Sequence, residues 1–430
     1  MKANQSRSFL LFWLSQSVSE LGSSMTGFAL ILWAYARTQS AMTVSLLTFF
    51  SYLPYLLISV FAGTFIDRHR KKPILLWTDS VSALCSLAVL LLFLSGRFEF
   101  WQIYIINAVT GSMNAFQLPA AAVAVGRLVP GEQYDKVSGM NSFSKSLITV
   151  ATPMLAAFVS SFWSLEGVLE FDLLTFLFAF SVLLFLIRIP ERRALREPAG
   201  RRRLLTDCRE GFRFLVNRRG LLSLIFSMAV MNFFSNLTYE NILPAMILSR
   251  SGQNEIALGV VSGAIGFGGV LGGLIVSFVR MPGDKIRLIY FSAAFSFLFG
   301  DVLMGLGRTV PVWIVAALAA SIPIPFVAAG QNVILYRTVP EEIQGRVFSV
   351  RNAVQFGTIP LGTLLGGALA DYGFEPFLKS RAPLATALQR LVGSGSGSGM
   401  AVMFLCTGVL GFLLSVCWYR NRNLRSLREK

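Results

Sequence analysis

One histidine, His69, stands in a chain of 430 residues, so a catalytic Ser-His-Asp set has no free member and a histidine metal site cannot be assembled. Cysteine is nearly as scarce. Cys85, Cys406 and Cys417 lie in apolar segments and Cys208 in a basic loop; with no CxxC pair, neither a disulfide framework nor zinc is indicated. No glycine-rich loop ends in Gly-Lys-Ser/Thr, and no soluble domain is available to hold ATP. A primary ATP-driven machine would need a separate ATP-binding subunit. Charge is thin as well, 14% against 54% hydrophobic residues, far too apolar for an ordinary soluble domain. No cofactor and no metal is expected, nor a cleavable signal peptide, because the N-terminal apolar run is long and leads straight into the next one.

What the chain has in quantity is apolar stretches of membrane-spanning length, about 20 residues each. They fall near 8–36, 40–66, 73–95, 99–128, 139–162, 168–189, 220–249, 255–280, 285–307, 310–337, 345–372 and 399–420. The fold class predicted is an all-α membrane protein, twelve transmembrane helices in two pseudo-symmetric six-helix bundles. The bundles are expected at 1–189 and 220–430, joined by an Arg-rich linker at 190–219 in which 206–217 forms a short amphipathic helix.

The net charge of +16 could suggest nucleic acid, but its location says otherwise. Eleven arginines crowd residues 188–219, and Asp67 to Lys72 and the tail from Arg420 add further basic clusters. Each lies just beyond an apolar segment, on alternate connections, which is the positive-inside pattern. These loops and both termini are therefore expected in the cytoplasm. Outside lies a connection near 373–398 ending in the run Gly393 to Gly399, expected to be a flexible native loop.

Residues about 210 positions apart repeat one another. Gly63 matches Gly273, Arg70 matches Arg280, Arg127 matches Arg337, Val129-Pro130 matches Val339-Pro340 and Glu132 matches Glu342. Apolar matches are cheap in such a sequence, whereas charges and prolines in one register are not. Two related bundles with a pathway between them are the architecture of secondary transporters.

The run Gly63-Thr64-Phe65-Ile66-Asp67-Arg68-His69-Arg70-Lys71-Lys72 joins the second and third spans. It closely resembles the signature loop of the major facilitator superfamily, a glycine followed by Asp-Arg-x-x-Arg-Lys/Arg. The resemblance implies that Gly63, Asp67, Arg68, Arg70 and Lys72 belong to a conformational latch. The second copy has Ser277 where the aspartate would be. A finer resemblance, to the drug-exporter branch with macrolide-efflux proteins and the enterobactin exporter, rests on Val339 to Phe348, Asn352 to Phe356, Pro360-Leu361-Gly362, Gly366-Gly367 and Ala370 to Phe377. That branch exports bulky amphipathic compounds at the expense of the proton gradient. One departure is Ala151-Thr152-Pro153-Met154, where antiporters of the branch carry a Gly-Pro motif with further glycines.

Polar residues inside spans mark candidate sites. Glu20 lies about 18 Å into the first span at 1.5 Å per residue; an ionised carboxylate there is costly, which makes it the proton-coupling candidate. Glu240, Asp172 and Asp301 lie nearer outer ends, where solvation is the simpler reading. Asn114 with Gln117, and Asn232 with Asn236 and Tyr239, share helix faces by spacing. Together with Tyr52 and Glu240 they are the substrate-cavity candidates. Arg127 and Arg337 end their spans in register and are expected at a cytoplasmic gate. Lys145 is expected to reach the membrane surface. Gly259/Gly263, Gly268/Gly272 and Gly269/Gly273 give one helix small-xxx-small packing faces.

The expectation is a monomeric, non-enzymatic exporter of hydrophobic or amphipathic compounds in a bacterial inner membrane, driven by protons. An endogenous lysolipid or siderophore is the rival substrate, and a non-transporting membrane sensor the remote alternative.

Overall fold

A computed structural model describes residues 2–129, 134–189, 212–279, 282–340 and 343–427. The Arg-rich stretch 190–211 lies outside these, as do Pro130, Glu132, Arg280 and Glu342 of the repeat. So do the side chains of Asp67 and Arg68. The described residues form helices and no strands. They divide into two compact units, Met1–Thr38 with Leu46–Glu197, and Gln39–Ser45 with Pro198–Lys430.

The first unit is built on α1 (Lys2–Thr38), α2 (Ala41–Arg68, from Leu46 onward), α3 (Lys71–Leu94), α4 (Phe100–Leu128) and α5 (Tyr134–Ser181). Ser164 interrupts α5 at φ 54° and ψ −165°, so one apolar run of 47 residues, Met140–Leu186, serves as the two spans expected there. A π-helical turn, Val182–Leu186, follows. Leu75, Ile66, Phe12 and Leu183 share one buried cluster, and Ile103, Leu169, Ala34 and Met25 another. Gly111 lets α4 lie against the backbone of α2, because a Cβ there would collide with the Ser51 carbonyl.

In the second unit α6 (Arg219–Thr238) is separated by a short turn from α7 (Ile242–Arg250), and α8 (Glu255–Phe278) follows. Then come α9 (Lys285–Phe295), a π-helical Ser296–Asp301, α10 (Val302–Leu306), α11 (Val310–Ser321) and α12 (Ile324–Thr338). After α13 (Gln344–Phe356) and α14 (Thr358–Ala368) a second π-helical segment, Leu369–Phe374, leads into α15 (Glu375–Lys379). The unit ends with α16 (Pro383–Val392), α17 (Ser398–Tyr419) and α18 (Arg422–Arg425). Side-chain caps start three of these helices: Asn254 accepts from Ala257 N at 3.0 Å, Asp284 from Arg287 N at 2.9 Å and Asn421 from Asn423 N at 2.9 Å, each satisfying an amide that helix geometry leaves free. Leu224, Ile225, Ile286, Ile289 and Leu335 are buried together at its core.

Nine helical stretches among the described residues are long and apolar enough to cross a membrane. α1 and α4, of 37 and 29 residues, have the length but carry more polar side chains. Residues 212–217, the described part of the expected amphipathic helix, are helical.

Two expectations on packing need correcting. Of the glycine faces of α8, Gly268 and Gly272 press against Ser321 and the Ile322 backbone, whereas Gly269 and Gly273 have open space where a Cβ would stand. One stripe is a contact and the other is not. The Gly393 to Gly399 run is likewise no free tether. Arg250 donates to Val392 O at 2.5 Å, and Arg308 donates to Arg390 O at 3.1 Å and Leu391 O at 3.0 Å. Two guanidinium groups thus hold the carbonyl end of α16, where positive charge is favoured. Ser249 and Ser396 are joined through their hydroxyls at 2.6 Å, and Gly393 and Gly397 turn at φ 96° and 85°, which side chains would resist.

Candidate functional site

Two buried acids organise the polar interior, one in each unit. Asp172, on α5 beyond the Ser164 break, is 3% exposed. Its carboxylate accepts from Ser23 Oγ at 2.9 Å and Thr26 Oγ1 at 3.1 Å on α1, and from Ser86 Oγ at 2.7 Å on α3. Gly22 leaves room for this junction, since a Cβ there would strike Thr175. In the second unit Asp301, 1% exposed, closes a π-helical segment. It accepts from Tyr239 Oη at 2.8 Å and from Thr407 Oγ1 at 3.0 Å. The expectation that these two acids are solvated at outer ends is overturned. Sequence position gives depth along a helix, but not the face, and both face neighbouring helices that bring hydroxyl donors. Each such bond to a charged group is worth about 1.5–3 kcal/mol.

Glu20, the proton-coupling candidate, lies midway along α1. It is exposed on α1, and the charge of Lys145 on α5 acts on it. The carboxylate is thus partly desolvated by its neighbours as well as facing the charge of Lys145.

Of the cavity candidates, Asn114 is exposed and Gln117 half-buried on the same face of α4. Gln117 Nε2 donates to Asp79 Oδ1 of α3. Asn232 and Asn236 are half-buried on α6, and Asn236 Nδ2 is held by the Asn232 carbonyl at 2.7 Å, so part of its capacity is spent inside its own helix. Tyr239 is committed to Asp301. Glu240, in the turn between α6 and α7, is exposed, as is Tyr52 on α2. The structure therefore brings Gln117 and Tyr239 to buried carboxyl groups, while Asn114, Tyr52 and Glu240 are exposed. A shallow groove of about 450 Å³ in the first unit is lined instead by Phe50, Trp101, Tyr104, Ile105, Ala108, Val109 and Ser112.

Of the signature loop, Arg70 precedes α3 and is exposed. Lys72 Nζ donates to Leu184 O at 2.9 Å and Ile187 O at 2.8 Å, where the π-helical end of α5 presents unpaired carbonyls. The neighbouring Lys71 is 2% exposed and donates to His69 O at 2.8 Å. His69 stacks on Phe65 with ring centroids 4.1 Å apart. The latch side chains of Asp67 and Arg68, and what Gly63 meets, lie outside the described residues. Arg127 is half-buried at the end of α4 and Arg337 exposed near the end of α12.

Asp79 escaped the sequence reading. It lies on α3 at 6% exposure, in Trp77-Thr78-Asp79-Ser80, and the available signal was an acid inside an apolar span. Among the described residues no three His, Cys, Asp or Glu side chains are grouped to hold a metal ion.

The family model described as Major Facilitator Superfamily matches residues 12–363. The chain is 24% identical over 371 residues to "Macrolide efflux protein A" of Streptococcus pyogenes, covering 84% of this chain and 89% of that protein. It is 26% identical to "Multidrug efflux pump Tap" of Mycolicibacterium fortuitum, over 77% and 81% of the two chains. Its fold is similar to that of a bacterial homologue of the human lysosomal transporter Spinster, with a TM-score of 0.68, 16% identity and 97% of each chain covered. The nucleoside transporter NupG gives a TM-score of 0.70 at 13% identity, over 97% of this chain and all of that one.

Proposed function

The chain belongs to the Major Facilitator Superfamily, and on that premise we propose that this membrane transporter exports hydrophobic or amphipathic compounds, macrolide-like drugs among them, by proton antiport and alternating access. The observation that carries the reading is the similarity, along most of both chains, to a protein named for macrolide efflux, joined by a second relative named as a multidrug pump. The chemistry of the interior agrees with it. Aromatic side chains supply apolar contact and a few amides supply hydrogen bonds, the mixture an amphipathic ligand needs.

Glu20, open on α1 with Lys145 for a neighbour, is the proton-coupling carboxylate of this reading: it exchanges a proton and pairs with a cationic substrate group in turn. A pH gradient contributes about 1.4 kcal/mol per unit for each proton, and membrane potential about 2.3 kcal/mol per 100 mV for each net charge moved. We place the protein in a bacterial inner membrane with both termini cytoplasmic, from the alternation of its basic connections.

The test is efflux of a radiolabelled macrolide from energised cells, comparing wild type with Glu20→Gln, with and without a protonophore. Lower accumulation in wild type, abolished by the protonophore and absent in a normally inserted Glu20→Gln, is the expected result. Wild type that moves none of the drugs tested turns the reading towards an endogenous lysolipid or siderophore. Glu20→Gln that works as well as wild type removes Glu20 from coupling.

A further inference from the structure

Three acids lie buried within the described helices of this protein, and two are fully engaged. Asp172 has three hydroxyl donors and Asp301 has two. Asp79 has one. Gln117 Nε2 serves its Oδ1, while Oδ2 is buried and has no hydrogen-bond partner. The amide of Gln16 on α1 faces the same carboxyl, yet Gln16 Nε2 is itself buried without a partner. Two orphaned polar atoms therefore stand on neighbouring side chains. A buried donor or acceptor left unmade costs about 1–3 kcal/mol, and more when charged.

Gln16 Nε2 drawn onto Oδ2 would pair the two with the carboxylate ionised; one added atom pairs them with it neutral. A hydrogen on Asp79 Oδ2 makes the carboxyl neutral and turns that oxygen into a donor. Rotating the Gln16 amide by half a turn, a choice that heavy-atom positions leave open, puts its Oε1 where that hydrogen needs an acceptor. The carboxyl is then held from both sides: it accepts from Gln117 and donates to Gln16.

We propose that Asp79, clamped between Gln16 and Gln117, is a proton-binding site of this transporter. Protonation forms one O–H bond at Oδ2 with a proton taken from water, and deprotonation returns it; nothing else is made or broken. Among the described residues the surroundings supply no substitute counter-charge. Gln16 and Gln117 face it from α1 and α4, and both are uncharged. Glu20, one turn beyond Gln16, is itself an acid, partly buried and under the charge of Lys145 of α5. Asp172 of α5 is held by its hydroxyls. Arg127 lies ten residues past Gln117, about 15 Å along α4 at 1.5 Å per residue. On α3 itself Lys71 and Lys72 are bound to backbone carbonyls. A carboxylate so enclosed, with no cation beside it, is the costly form. Gln117 is half-exposed, one turn from the exposed Asn114, which gives the proton a polar way in.

The role in coupled export rests on the function proposed above; proton binding does not, and its test needs no substrate. Infrared difference spectra of the purified full-length protein, stepped from acid to alkaline buffer, read the C=O stretch of protonated carboxyl groups. Wild type is expected to show a buried-carboxyl band that disappears on alkalinisation. Asp79→Asn, which keeps the shape and hydrogen bonding of the neutral acid, is expected to lose that band. Glu20→Gln and Asp172→Asn are expected to keep it. Gln16→Leu is expected to shift it, because the O–H loses its acceptor, and this variant decides the matter should Asp79→Asn fail to fold. An unaltered band in Asp79→Asn, or an unmoved one in Gln16→Leu, overturns the proposal. Loss of the wild-type band on adding sodium chloride at fixed pH overturns it too, in favour of a bound metal cation. A band that behaves as expected in a protein that exports no drug leaves the site standing and removes the drug reading alone.

Discussion

Asp371 caps the helix that opens at Ala41, although 330 residues separate the two. Its carboxylate takes the Ser40 hydroxyl at 2.5 Å and the backbone amides of Ala41 at 3.1 Å and Met42 at 3.0 Å, while Thr43 N donates to Ser40 Oγ at 3.1 Å. These are the amides a helix leaves unsatisfied at its start, and a negative charge there also meets the positive end of the helix dipole. The widened turn Leu369–Phe374 places Asp371 for the task. Removing a helix cap costs about 0.5–2 kcal/mol. Asp371→Ala is expected to lower the unfolding temperature of the detergent-solubilised protein, and Asp371→Asn, which keeps one acceptor oxygen, to lower it less. Equal melting of Asp371→Ala and wild type would show that the cap adds nothing.

The two glycine stripes of α8 are expected to answer oppositely to alanine. Gly272→Ala forces a methyl group into the Ile322 carbonyl and should destabilise by a clash that backbone cannot relieve. Gly269→Ala meets nothing and should gain up to about 1 kcal/mol of helix propensity. Thermal unfolding of the two variants side by side checks both, and a matched response would refute the assignment of faces.

Ser23, Thr26 and Ser86 converge on one carboxylate, so their losses should not add. Ser86→Ala alone is expected to cost about 1.5–3 kcal/mol, the range for bonds to charged groups. Ser23→Ala combined with Ser86→Ala should depart from the sum of the singles, because the remaining bonds redistribute. Denaturant titration of the double-mutant cycle measures this, and simple additivity speaks against a shared site.

Arg308 and Arg250 hold the end of α16, and the glycine–serine run follows directly. Cutting either side chain back to alanine is expected to expose Gly393 to Gly399 to protease, with cleavage several-fold faster than in wild type. Limited proteolysis followed by mass mapping reads the site. An uncut run in the double variant would mean that the glycine turns hold it without help.

The helices were legible because length and apolarity alone decide what can lie in a bilayer, and the family because the run Gly63 to Lys72 combines charges that chance seldom places together. The site was less legible, for particular reasons. Depth along a helix could be counted for Glu20, Asp172 and Asp301, but which neighbour each one faces depends on packing across the chain. Hence the solvated reading of the last two failed, and Lys145 was not foreseen beside Glu20. Nothing in the sequence announces the carbonyls of Leu184 and Ile187 that Lys72 meets. Asp79 was visible as an acid in an apolar span; its meaning came only with Gln16 and Gln117 on two other helices. The run Gly393 to Gly399 reads as slack in composition and is tied down by Arg250 and Arg308, neither near it in sequence.

The two hydroxyl-bound acids, Asp172 and Asp301, sit on different helices of their units. In the first unit the carboxylate of Asp172 rides on the last long helix and draws hydroxyls from the first and third. In the second, Asp301 rides on the third and draws them from the first and last. What the two units share, then, is a place for one anion where three rods meet, and not the rod that supplies it. Homologues can be sorted by which rod carries the acid, and a graft that moves it from one rod to another within a unit keeps the same meeting of three.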